Sequence, residues 1–232
     1  MLELPEILLI DKPLEMTSFD IIRALRRRHK EEGGEGRLKV GHAGTLDPLA
    51  TCLMILGVGM GTKKLTELVK LDKEYTAEVR IGEQRTTGDL EGAIVAEKEV
   101  DQISEETIKN VVASMVGTLT LPVSAYSAIK KEGKPMYKRA REAEKKGEVI
   151  TDVPVREMTV YEAEVLDSAN IIVSGKARLV VTVRFAVASG VYVRSLGEEL
   201  GKRLGYPATL QALRRTKVGD FSITEAVLLE NI

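Results

Sequence analysis

A mixed, largely antiparallel α+β fold, a central sheet flanked by helices, is predicted for this 232-residue chain. Three observations predict it. Strand and helix candidates interleave without the regular βαβ alternation of a doubly wound sheet. The two longest strand candidates, 153–166 and 177–187, follow one another and suit an antiparallel pair. No repeat, low-complexity linker or composition break divides the chain, so one domain over residues 1–232 is expected.

The elements follow in order. Residues 6–10 (EILLI) form a short apolar strand candidate that ends in Asp11-Lys12-Pro13. Thr17 and Ser18 suit the start of a helix to about His29, with Ile21, Ile22 and Leu25 at helical spacing. Residues 31–36 (EEGGEG) read as a flexible loop, and 40–51 as an irregular, glycine-rich segment containing Pro48. Residues 52–58 (CLMILGV) read as a buried strand, followed by a helix around 62–70. Residues 75–81 alternate as a half-buried strand does, and 82–92 read as a polar loop. Ser104 caps a helix to about Val116, with Glu106 and Thr107 in its first turns. Residues 135–147 are helical and heavily charged. Residues 192–204 read as a helix stopped by Gly205 and Pro207, 210–218 as a strand, and Thr224 as the start of a short terminal helix.

Composition narrows the class. With 44% hydrophobic and 30% charged residues the chain is not a largely disordered one. No apolar run approaches the roughly 20 residues of a membrane span. The first residues, MLELPEILLIDKP, lack the basic region and small-residue cleavage site of a signal peptide. The single cysteine, Cys52, allows no internal disulfide and reads as a small buried hydrophobe. One cysteine with two histidines, His29 and His42, does not support a closed zinc site. The expectation is a cytoplasmic, metal-free protein. A net charge of −1 does not advertise a nucleic-acid binder. The charges are nonetheless segregated, basic in 23–30, 130–146 and 214–217, acidic in 97–106 and 157–167. Segregation of this kind gives one positive face to a nearly neutral protein, although a solvated helix face is the plainer reading of any single run.

The most unusual stretch is residues 41–51, GHAGTLDPLAT. Two glycines allow conformations or close approaches that other residues resist, and Pro48 restricts the residue before it towards an extended form. A carboxylate, Asp47, is thereby fixed in a tight loop beside a strand. Such a group suits nucleophilic attack or proton transfer; from spacing alone, a turn-capping role is the plainer alternative. Gly57-Val58-Gly59-Met60-Gly61-Thr62-Lys63 fits neither a dinucleotide fingerprint nor a phosphate-binding loop. Its glycines are expected to allow close packing against the 41–51 loop.

The segment 41–51 closely resembles the catalytic motif of the TruB family of tRNA pseudouridine synthases, whose GTLDP aspartate is the nucleophile. The resemblance continues along nearly the whole chain. Asp11-Lys12-Pro13 with Thr17-Ser18 is similar to the family's first motif, and Lys73-Glu74-Tyr75 to its K-x-Y element. Thr86 to Gly92 is similar to its T-x-x-D-x-x-G loop, and Ser127-Ala128-Ile129-Lys130 with Gly133, Tyr137, Ala140 and Arg141 to its SA-x-K stretch. Ser189 to Leu196 resembles G-x-Y-x-R-x-L, and Leu213-Arg214-Arg215 the LRR element. Two positions depart from the pattern: Glu15 and Cys52 stand where the family usually has glycine. The sequence also ends soon after the LRR element, so a separate C-terminal RNA-binding (PUA-like) domain is expected to be absent.

The resemblance implies the pseudouridine synthase catalytic fold. It also implies isomerisation of the T-loop uridine of tRNA, conventionally nucleotide 55, with the base flipped out of the RNA. The reaction involves no net redox change or hydrolysis, so no cofactor is expected, and a monomer is expected. The resemblance assigns Asp47 as nucleophile, Tyr75 as the active-site aromatic and proton relay, and Arg194 as the cation that fixes Asp47. Leu213 closes the other side of the base. His42 shapes the space the base leaves, or is a loop histidine with a structural hydrogen bond. Tyr192 is a substrate contact or a core aromatic, and Lys130 a phosphate contact or a solvated lysine. Asp89 organises its loop. A basic RNA-clamping insertion around 130–148 is expected. The alternatives are a non-catalytic tRNA-folding chaperone and a guide-dependent relative that modifies ribosomal RNA.

Overall fold

The computed structural model describes residues 4–127, 129–148, 150 and 152–232. Ala128, within the SA-x-K stretch, lies outside them. The chain divides into two compact units, one of residues 1–76 with 213–232, the other of residues 77–212. The chain passes from one to the other within two continuous strands, 73–81 and 208–218.

The first unit begins with β1 (Ile7–Lys12) and α1 (Ser18–Glu31). Thr17 is the N-cap of α1, as expected. Its hydroxyl accepts from Asp20 N at 3.1 Å, and Asp20 reciprocates on Thr17 N at 2.8 Å. A cap of this kind contributes about 1 kcal/mol. After α1 come β2 (Val40–His42), β3 (Ala50–Val58), a 3₁₀ turn at Gly59–Lys63 and the short α2 (Leu65–Leu68). The segment expected to be irregular from Val40 thus starts as a strand, with Val40 opposite Val58 and His42 opposite Leu56. β3 is buried on both faces because each face has its own core. Met54, Leu56 and Val58 pack with Ile10, Ile21 and Leu25; Leu53 and Ile55 pack with Ala43, Val218, Leu65 and Phe221. Gly57, within β3, and Gly61, after it, serve close approach, and Gly57 stands opposite Gly41 of the 41–51 segment. A Cβ on Gly61 would lie 1.9 Å from Glu6 O, and one on Gly57 would lie 2.7 Å from Gly61 O.

β4 (Lys73–Ile81) leads into the second unit, with every second side chain buried as its alternation predicts. β5 (Glu83–Arg85) and β6 (Ile94–Glu97) form a hairpin where a polar loop was expected. These strands carry no apolar alternation. Buried Glu83 is held instead by Arg85 and Arg80. α3 (Glu105–Ala113), capped by Ser104, precedes β7 (Gly117–Pro122), a strand legible only at buried Leu121. The charged segment forms the hairpin β8 (Lys130–Lys131) and β9 (Lys134–Pro135), then α4 (Met136–Glu144). The predicted antiparallel pair is β10 (Val155–Val173) and β11 (Lys176–Val187). Ser174 and Gly175 join them, both at positive φ (51° and 76°), the backbone a two-residue hairpin turn requires. α5 (Val193–Leu204) ends at Gly205, whose φ of 85° suits glycine. In this unit the strand order β4-β11-β10-β7 continues from the first part of β12 (Ala208–Val218).

The rest of β12 returns to the first unit and runs parallel to β3, with Leu213 opposite Ala50 and Arg215 opposite Cys52. Then come β13 (Phe221–Ser222), a 3₁₀ turn at Ile223–Glu225, β14 (Val227–Leu228), and a 3₁₀ turn at Leu229–Asn231. Where Thr224 was expected to open a helix, Ser222 and Glu225 cap a single turn. β14 then pairs with β1. Among the described residues no helix is long and apolar enough to cross a membrane.

Glu15 adopts φ 64°, the left-handed region that favours glycine, at a position where the resembling family usually has one. Relief of this strain exceeds the entropy glycine adds to the unfolded chain. Glu15→Gly is therefore expected to raise stability by about 0.5–1 kcal/mol in urea denaturation. A loss of stability would contradict that assignment.

Candidate active site

The Asp47 loop grows out of the β2–β3 pairing. Ala43 N still donates to Ile55 O at 2.9 Å; Gly44 then turns the chain at φ 105°. Asp47 opens a turn, with Pro48 and Leu49 at its centre and Ala50 N donating to Asp47 O at 3.1 Å. Proline at the second position presets that backbone. The turn is closed on the Asp47 carbonyl oxygen, in keeping with the turn-capping alternative.

Beneath the loop lies a group of buried polar side chains. Arg215, 1% exposed, donates to Leu53 O from Nε at 2.9 Å and from Nη2 at 2.8 Å. Its Nη1 would be in ordinary van der Waals contact, 3.5 Å, with a Cβ on Gly44, so it is the φ of 105° and not lack of room that favours glycine there. Arg215 also hydrogen-bonds Tyr75, whose burial raises its phenol above the ordinary value against the lowering effect of that arginine. Asp47 is within electrostatic reach of Tyr75 and of Lys12. Lys12 Nζ donates to Pro13 O at 2.9 Å and Met16 O at 2.7 Å; burial lowers its pKa, offset in part by Cys52, Asp47 and Asp11. Lys73 Nζ donates to Val69 O at 2.6 Å and to Leu71 O, and burial brings it down to about 8. Carbonyl oxygens thus offset much of the cost of burying these cations.

Cys52 sits between Lys12 and Arg215 in strand register. Burial outweighs both cations and pushes its thiol up to about 11. The thiol is accordingly a buried small group, as expected, and iodoacetamide at pH 8 should leave it unmodified in the native protein and label it in urea. Rapid native labelling, read by mass spectrometry, would contradict this. His42, half-buried, has its pKa lowered by burial, against the raising effect of a hydrogen bond with the Gly44 backbone, with a smaller lowering contribution from Arg215. Leu213 is 8% exposed.

Asp47, Tyr75, His42 and Leu213 all belong to the first unit; Arg194, Tyr192 and Lys130 belong to the second. Arg194, in the first turn of α5, donates from Nη1 to Thr87 O at 3.0 Å and Asp89 Oδ2 at 3.3 Å. Its Nη2 donates to Tyr126 O at 3.3 Å. Asp89 does organise its loop, accepting on Oδ1 from Thr87 Oγ1 at 2.5 Å and Glu91 N at 3.1 Å. Tyr192 is the N-cap residue of α5, and Lys130 is exposed on β8. In the charged segment Lys131 pairs with Asp152, Lys134 with Glu142 and Arg139 with Glu132.

Sequence reasoning gave no role to Lys12 or Arg215. A signal was present: each continues the buried parity of its strand, Lys12 after Leu8 and Ile10, Arg215 after Leu213. A cation on the apolar face of a strand has to be held by something. Among the described residues there is no cluster of His, Cys, Asp and Glu able to hold a metal ion.

Residues 28–193 match the TruB family pseudouridylate synthase (N terminal domain). The tRNA pseudouridine synthase B of Corynebacterium diphtheriae is 38% identical over 229 residues, 97% of this chain and 71% of that protein. The enzyme of the same name from Desulfotalea psychrophila is 42% identical over 223 residues, 95% of this chain and 85% of that one. The fold also matches a chain in the structure of an H/ACA RNP bound to a substrate RNA containing 2'-deoxyuridine. That match has a TM-score of 0.63 and 23% identity, covering 97% of this chain and 51% of that one. A Cbf5-Nop10-Gar1 complex gives a TM-score of 0.64, likewise at 23% identity, and the chain spans about half of its counterpart, 52%. The α+β fold read from the sequence is thus the pseudouridine synthase fold, and this chain belongs to the TruB family of pseudouridylate synthases.

Proposed function

We propose that this chain isomerises the T-loop uridine of tRNA, nucleotide 55, to pseudouridine, with Asp47 as nucleophile. The observation that carries the reading is the Asp47 loop itself. A carboxylate on a proline turn lies within electrostatic reach of buried Tyr75 and Lys12, in a segment that resembles the family's catalytic motif. The relatives' names supply the tRNA.

In the reaction the C1'–N1 bond breaks, the base turns and a C1'–C5 bond forms. C5 gives up its hydrogen and N1 takes up a proton, so the atoms balance without oxidant or water. No cofactor is needed. Flipping the uridine out costs a few kcal/mol. Stacking on Tyr75 would return about 1–3 kcal/mol of that, with Leu213 closing the opposite side and His42 shaping the vacated space. A raised phenol pKa keeps Tyr75 neutral, suited to relaying a proton rather than to carrying charge. The family resemblance assigns Arg194 as the guanidinium for the Asp47 carboxylate and Tyr192 as a substrate contact. The segment 130–148, with Lys130, clamps the T-arm phosphates. The protein works as a cytoplasmic monomer.

The test is position-by-position mapping of pseudouridine in an unmodified tRNA transcript, beside one with the T-loop uridine changed to cytidine. Product at that single position, absent from the altered transcript, is expected. Tight binding without product would replace the enzyme reading by an RNA-folding role.

A further inference from the structure

The Asp47 loop is held on both sides of the nucleophile by one short turn, residues 13–18. Before Asp47, Leu46 N donates to Ser18 Oγ at 3.1 Å, with Leu46 6% and Ser18 2% exposed. After it, Pro48 O accepts from Glu15 N at 3.0 Å. The turn is itself anchored, since Lys12 Nζ donates to Pro13 O and Met16 O. Ser18 is the first residue of α1, where a hydroxyl would ordinarily help satisfy the free N–H groups of the helix. Thr17 already performs that task through its reciprocal bonds with Asp20. The Ser18 hydroxyl is directed instead to the residue before the nucleophile.

We infer that Ser18 is a positioning residue for Asp47, setting the reach of its carboxylate by fixing the backbone at Leu46. The inference rests on the reading of Asp47 as nucleophile. The physical reason is that reactive groups must be held to within a fraction of an ångström. A misplacement of about 1 Å costs on the order of 10²-fold in rate. Freed from Ser18, the Leu46 amide swings with the loop, and Asp47 samples positions from which it does not reach the uridine. Binding of the RNA does not depend on this bond.

The neighbouring residue supplies the control. Thr17→Ala removes the cap of α1 and leaves the Leu46 bond intact, whereas Ser18→Ala does the reverse. Single-turnover pseudouridine formation, RNA affinity, thermal midpoint and amide hydrogen exchange at Leu46 are measured on both. Ser18→Ala is expected to slow the single-turnover rate by about 10–100-fold, at unchanged RNA affinity, with faster exchange at Leu46. Thr17→Ala is expected to lower the thermal midpoint while keeping the wild-type rate and slow Leu46 exchange. A wild-type rate in Ser18→Ala would overturn the inference, and so would equal slowing in both variants. An inactive wild-type chain would instead overturn the function on which the inference rests.

Discussion

Asp47→Asn is expected to abolish pseudouridine formation, lowering the single-turnover rate by at least about 10⁴-fold while tRNA affinity changes little. Asparagine preserves the size of the side chain and its place before Pro48, so the turn closed by Ala50 N on the residue 47 carbonyl survives. What disappears is the negative charge and the nucleophilic oxygen. The buried cations lose an anion within their reach, Lys12 among them, so the native state is not expected to gain stability from the change. Rate and affinity are measured separately, by quenched single turnovers and by filter binding. A mutant that still makes product at an appreciable rate would show that the nucleophile had been misassigned. A mutant that no longer binds would place Asp47 in recognition instead.

The second large effect concerns stability. Arg215→Met keeps the length of the side chain and removes its charge and five donors. Leu53 O loses two hydrogen bonds and Tyr75 one partner, all in the interior. Leaving such groups without partners costs about 1–3 kcal/mol each, reduced because a buried charge is removed at the same time. A net loss of about 3 kcal/mol in urea denaturation is expected, together with loss of activity. Arg215→Lys retains the charge but lacks the planar fork that reaches Leu53 O twice, so it is expected to lose about 1–2 kcal/mol and most of the rate. If the lysine variant were fully active, charge alone would be the requirement, and the directional role of the guanidinium would fall.

How much of this was legible beforehand depends on the kind of signal. α1 was readable because Thr17, Ser18 and the spacing of Ile21, Ile22 and Leu25 agree with one another. β4 was readable for the same reason, alternation agreeing with propensity, and β10 and β11 through the length of their strand-forming runs. The β5–β6 hairpin was not, because its one buried side chain is Glu83, whose place is secured by arginines and not by hydrophobicity. β7 and β14 were missed because strands that bury one residue or none leave no period to detect. At the site, the Asp47 loop stood out through Gly44 and Pro48, residues whose backbone preferences are strong enough to read locally. Arg215 and Lys12 owe their importance to strand register, which sets each beside Cys52 from a different strand. Register of that kind joins residues distant in sequence, and no local pattern announces the partner. Glu15 is the instructive intermediate. The family resemblance marked it as unusual, and only its φ of 64° explains why glycine is the common choice.

The most direct test of the central claim is release of tritium from tRNA carrying [5-³H]uridine, with the wild-type chain and no added cofactor. Moving the glycosidic bond from N1 to C5 expels the hydrogen at C5, whereas binding or refolding the RNA leaves it in place. The account predicts release that tracks formation of pseudouridine at the T-loop position and levels off at one equivalent of product per tRNA. Saturable binding of the labelled tRNA with all tritium retained would contradict it.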